Sequence, residues 1–155
     1  MIYELFDAIR VADIERVKTL VNENPAWVNE KDQRGSTPLL LATYYGHDDI
    51  ARILLEYPQD IDAQDSSGNT ALMGVCFKGF TTIAKRLIDN GTDVNITNFN
   101  GATALIFAAT FGREQIVEML LENGANPQTK DDRGNTALDH AKMQGVPQII
   151  ALLES

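Results

Sequence analysis

Two histidines, one cysteine and a scatter of carboxylates are the side chains here equipped to bind a metal, activate a nucleophile or move a proton. A zinc site needs several nitrogen or sulfur ligands at workable spacing, and His47, His140 and Cys76 fall in separate stretches. Asp139-His140 has the residue types of a general-base pair, but consecutive residues on a helix do not face each other. A surface pair or a packed His is the expectation there. Cys76 stands among Leu72, Gly74 and Val75, and with no His or Lys partner predictable for it, it reads as a small buried hydrophobe rather than a reactive thiol. Asn95-Ile96-Thr97 matches the glycosylation acceptor. However, Met1-Ile2-Tyr3-Glu4-Leu5-Phe6-Asp7 lacks the basic start and apolar run of a secretory signal. The Asn95 side chain is expected instead to tie its loop together through bonds to backbone. No phosphate-binding Gly-x-x-x-x-Gly-Lys, no Gly-x-Gly-x-x-Gly and no Gly-x-Ser-x-Gly occurs. No catalytic residue, cofactor or metal is therefore assigned.

The elements that position these residues repeat. Asp32-Gln33-Arg34-Gly35-Ser36-Thr37-Pro38-Leu39 returns as Asp65 to Leu72, as Asn98 to Leu105 and as Asp131 to Leu138. The glycines stand 68 − 35, 101 − 68 and 134 − 101 residues apart, each 33. A fixed period of this length marks a stack of small units, not a single closed core. Each letter has a physical role. The glycine suits a turn needing positive φ. The threonine two places on caps a helix by accepting a backbone N–H bond. Pro38 falls at the first helical position, where its missing N–H costs nothing.

A β-turn, a capped helix and a second helix in about 33 residues resemble the ankyrin repeat family. The resemblance covers nearly the whole chain, from about Tyr3 to Ser155. It implies an all-α solenoid of helix-turn-helix units joined by β-turn hairpin loops. The expected organisation is a single domain, 1–155, with an atypical capping repeat at about 1–31, repeats at 32–64, 65–97 and 98–130, and a C-terminal cap at 131–155. His47, just after a helix-ending glycine, occupies a turn where the family often has His, and a structural role is expected for it. One departure matters. The residue after the leucine of the block is commonly His in the family, but here it is Leu40, Met73, Ile106 and Asp139. The seam between repeats should be drier than usual, and the threonine hydroxyls must find other partners.

Taken in order, the first segment lacks the Gly-x-Thr block but keeps two helical patterns, Leu5, Ala8, Ile9, Ala12 and Ile14, Val17, Leu20, Val21. It carries one extra residue between Asn22 and Trp27, since its helices align at a step of 34. In the second, Gly46 ends the first helix, and Pro58 stands where later segments have Gly91 and Gly124, so that loop must turn differently. The third has Gly74 inside its first helix, at a cost of roughly 1 kcal/mol relative to Ala. It is the expected soft repeat.

The chain has 155 residues, 44% hydrophobic and 23% charged, which suits an ordered chain rather than a disordered one. Its 22 acidic against 13 basic side chains give a net charge of −9, which opposes nucleic acid and anionic membrane as partners. A lone cysteine without a signal segment fits the cytoplasm.

The resemblance implies protein–protein recognition through the concave side, formed by the turn tips and the exposed ends of the first helices. The dipeptides there read Tyr44-Tyr45, Phe77-Lys78, Thr110-Phe111 and Met143-Gln144. Tyr44, Phe77 and Met143 take the slot that leans into the groove between repeats. Tyr45 and Phe111 share the more exposed slot, with Lys78 between them, as two flat contact residues around one cation. The tips add Arg34, Phe99 and Arg133. A monomer binding a protein partner, basic to match its acidity, is the expected function. The alternatives are an inhibitor or immunity-type protein that covers one basic enzyme, and an enzyme with a cleft hidden between repeats.

Overall fold

The computed structural model describes residues 1–155 and is entirely helical, with no strands. Ten α-helices form five antiparallel pairs: α1 (Ile2–Arg10) with α2 (Ile14–Glu23), α3 (Pro38–Tyr44) with α4 (Asp48–Leu54), α5 (Ala71–Lys78) with α6 (Thr81–Asp89), α7 (Ala104–Thr110) with α8 (Glu114–Glu122), and α9 (Ala137–Gln144) with α10 (Pro147–Glu154). A 3-10 turn, Pro25–Asn29, follows α2. The first helices of successive pairs pack side by side, α1 to α3 to α5 to α7 to α9, and the second helices form a parallel layer behind them. No helix is long and apolar enough to cross a membrane.

Local chemistry sets where each helix begins. The hydroxyls of Thr37, Thr70, Thr103 and Thr136 accept from the N–H of Leu40, Met73, Ile106 and Asp139, each three residues on. Those hydroxyls thus satisfy their own helices instead of bridging repeats. Leu40, Met73 and Ile106 are buried, as the dry seam requires. Asp139 departs from this: its carboxylate turns back to accept from the Thr136 N–H at 2.9 Å, completing a capping box.

The turn before each helix is shaped by its first residue. One oxygen of Asp32, Asp65, Asn98 or Asp131 accepts two backbone N–H groups, as Asp65 Oδ1 does from Ser67 and Asn69, both at 2.9 Å. Successive turns are then linked by backbone bonds: Ser66 N–H to Arg34 O, Phe99 N–H to Ser67 O and Asp132 N–H to Asn100 O. Gly68 (φ +81°) shows why the turn glycine is needed, because a Cβ there would lie 2.6 Å from the Phe99 backbone nitrogen.

The core is the seam between pairs. Small residues at one inner position, Ala8, Ala42, Val75, Ala108 and Ala141, are fully or nearly fully buried and let neighbouring helices approach. Cys76 is wholly buried there, and burial pushes its thiol well above the ordinary range, so it packs as a hydrophobe.

The Pro58 loop has a specific solution. After α6 and α8, a glycine in positive φ lets the next N–H return to the helix: Thr92 N–H to Leu87 O and Ala125 N–H to Leu120 O. Pro58 cannot adopt that conformation. The side-chain amide of Gln59 takes over and donates to Leu54 O at 2.6 Å.

Candidate partner-binding groove

The turn tips and the first-helix layer enclose a groove. Over the first two pairs it is about 920 Å³, bordered by Tyr3 and Phe6 of α1, Tyr44 and Tyr45 at the end of α3, and Arg34 of the first turn. It continues into a smaller pocket of about 300 Å³ above α5. Gly74 lines that pocket together with Leu40 and Tyr44 of the preceding repeat, Phe107 of the following one, Phe77 of its own helix and Asp65 of the turn.

The aromatic residues form two clusters, not one row. Tyr44 meets Tyr45 edge-on at 5.9 Å, Tyr45 stacks on His47 at 6.1 Å, and Lys78 Nζ lies 4.7 Å above the Tyr44 ring. Phe77 meets Phe111 edge-on at 4.7 Å, and Phe111 lies parallel to Phe107 at 6.5 Å. The cation therefore caps Tyr44 rather than sitting between Tyr45 and Phe111. The two slots do not differ in exposure either: Tyr44 and Tyr45 are 42% and 47% exposed, Phe77 and Phe111 37% and 41%. The physical reason is that each helix ends at this point, so both residues of the last turn splay over its rim.

Among the tip residues, Arg34 borders the groove. Phe99, 67% exposed, lies on the other side of the turns, beside Lys31, Asp60 and Asp62. Arg133 is exposed on the last turn. Phe107 and Asp65 are groove residues that the sequence reading passed over. Phe107 had a signal: it stands one period after Gly74 and four residues before Phe111, the spacing that puts two rings on one helix face.

His140, Asn95 and the His47 backbone have structural partners, while His47 Nε2 is buried without a hydrogen bond. His140 turns away from its neighbour Asp139 and bonds through Nε2 to Asp131 Oδ2 at 2.7 Å. Burial raises the Asp131 carboxyl, but the His140 bond and the N–H groups of Asn135 and Arg133 outweigh it, and its pKa lies below the usual value. Asn95 does tie backbone, but in the next repeat: it donates to Gly124 O at 3.0 Å and accepts from Asn126 N–H at 2.8 Å. His47 opens α4, and its backbone N–H closes α3 by donating to Ala42 O. On the far layer Asp48 and Arg86 form a two-bond ion pair, at 2.6 and 2.9 Å. The Arg86 bond holds the Asp48 carboxyl below its ordinary range, against a smaller effect of burial.

The sequence model of a family described as ankyrin repeats (3 copies) matches residues 5–98 and again 72–155. This chain belongs to the ankyrin-repeat family. That model describes three copies and overlaps itself along this chain, which has five helix pairs. Ankyrin repeats are in general protein–protein interaction modules and typically non-catalytic. Among curated proteins, BTB/POZ domain-containing protein 3 of Schizosaccharomyces pombe is 42% identical over 53 residues, which is 34% of this ankyrin-repeat chain and 10% of that protein. The chain thus matches about a tenth of that relative's length.

Proposed function

We propose that this ankyrin-repeat chain is a non-catalytic recognition module that holds a protein partner in the groove between its turn tips and first helices. The observation that carries the reading is the pair of aromatic clusters at the ends of the first helices: Tyr44, Tyr45 and Phe77 line the groove and are partly exposed, and Phe111 packs edge-on against Phe77 beside it. Exposed aromatic groups gathered on one surface are the usual energetic centre of an interface. The five helix pairs act as one unit over 1–155, with the outer pairs as caps. The net charge of −9 favours a basic partner, by steering over roughly 10 Å at 0.1 M ionic strength.

The test is capture of the native partner by immobilised full chain, with Tyr45→Ala and Phe111→Ala compared against the parent. Truncating such residues typically costs about 2 kcal/mol or more of binding, while the aromatic pairs that Tyr45 and Phe111 make within the chain are worth about 0.5–1.5 kcal/mol of stability. Both variants should stay folded with a modestly lowered melt and lose most of the captured partner, and capture by the parent should weaken with salt. Folded variants with unchanged capture would move the surface to the turn tips around Arg34, Phe99 and Arg133.

A further inference from the structure

The pocket above Gly74 has an internal template two repeats away. Asp131 corresponds to Asp65 and His140 to Gly74, since 131 − 65 and 140 − 74 are both 66, two periods of 33. In the last repeat the His140 ring fills the space beside the turn and donates through Nε2 to Asp131 Oδ2 at 2.7 Å. In the third repeat that ring is absent. Asp65 Oδ1 is held by its two turn N–H groups, as Asp131 Oδ1 is, but Asp65 Oδ2 takes no protein donor, and Asp65 is among the residues lining the pocket. A Cβ on Gly74 would touch only Tyr44 Cδ1, at 3.5 Å, so the space is open.

We propose that this pocket receives an arginine side chain of the protein partner, whose guanidinium takes the place that the His140 ring holds in the last repeat and donates to Asp65 Oδ2. The proposal rests on the groove reading above and names the chemistry of its central contact. Three observations select the occupant. Asp65 is the one charged residue lining the pocket, and a partner that covers it must supply a donor or leave a carboxylate unpaired. The walls are the rings of Tyr44, Phe77 and Phe107, against which a planar guanidinium stacks better than a compact, strongly hydrated ammonium does. An arginine also agrees in sign with a chain of net charge −9.

The test is an NMR titration of the full chain with N-acetyl-arginine N-methylamide, against the blocked forms of citrulline, lysine and norleucine. Arginine should shift the amides of Gly74, Phe77 and Phe107 saturably, with citrulline at least about tenfold weaker because it lacks the charge-assisted bond. Two variants copy arrangements the chain already contains. Gly74→His installs the His140 arrangement and should abolish the shifts. Asp65→Asn keeps the turn, as Asn98 does, and should weaken arginine to the level of citrulline. An equal response to arginine and citrulline, or no saturable shift at these amides, overturns the proposal; stronger binding of norleucine would make the pocket an apolar receptor instead. Partner capture separates the two readings. If Tyr45→Ala loses the partner and Gly74→His keeps it, the arginine contact falls and the groove stands. If both variants keep it, both fall.

Discussion

Replacing Gly74 by alanine should stabilise the protein, although the residue lies in a helix that packs on both sides. Gly74 is in the middle of α5 with helical backbone, so it has no need of the freedom a glycine offers. Glycine in a helix interior costs about 1 kcal/mol relative to alanine, mostly through the entropy of the unfolded chain. The structure decides whether that gain is realised. The added methyl meets a single atom, Tyr44 Cδ1, at 3.5 Å, an ordinary contact that needs no neighbour to move. The expected gain is about 0.5–1 kcal/mol. With a urea slope of about 2 kcal/mol/M, the midpoint should rise by about 0.25–0.5 M at unchanged slope. Gly68→Ala is the control of opposite sign, six residues earlier. There φ is +81°, and the methyl would lie 2.6 Å from the Phe99 nitrogen, which bonds to Ser67 O. Strain and the lost bond together should cost about 2–4 kcal/mol. A loss of stability in Gly74→Ala would refute the reasoning, since it would show that the approach of Tyr44 to α5 depends on the missing methyl.

Other expectations follow from single contacts. Ala12, exposed at φ +58°, occupies the position of Gly46 in the next pair, and Ala12→Gly should stabilise by about 0.5–1 kcal/mol in the same melts. Gln59→Ala leaves Leu54 O without its 2.6 Å donor and should cost about 1 kcal/mol, with hydrogen exchange rising first at the end of α4. The Asp48 carboxyl titrates lower folded than unfolded, so its contribution is complete above the unfolded value of about 3.9 and is lost as pH falls through the folded one. Asp48→Asn should therefore be less stable than the parent at pH 7, and the difference should close in acid.

Much of the fold was legible because its determinants are local. A glycine at positive φ, a threonine capping the N–H three residues on and a proline at the first helical position are bonds and dihedrals within a few residues of one another. Repetition every 33 residues multiplies that weak local signal into an architecture. The placement of the aromatic residues at the rim was legible for the same reason, since helix period and helix end together assign them to one edge.

What happens between repeats was not. That Lys78 lies over Tyr44, that Gln59 replaces a glycine-borne N–H, and that Phe99 falls on the far side of the turns depend on distances between residues separated by loops. The pocket is the clearest case. In the sequence Gly74 is an absent side chain, read as a weak point in a helix. In the fold the same absence is flanked by Tyr44 from the preceding repeat and Phe107 from the following one, beside a carboxylate with a free oxygen. The sequence determined the repeating unit, its turns and its caps, because those are set by neighbours along the chain. Only stacking decided that a missing side chain became a cavity, because a void is a property of what surrounds it, and its walls come from three different repeats.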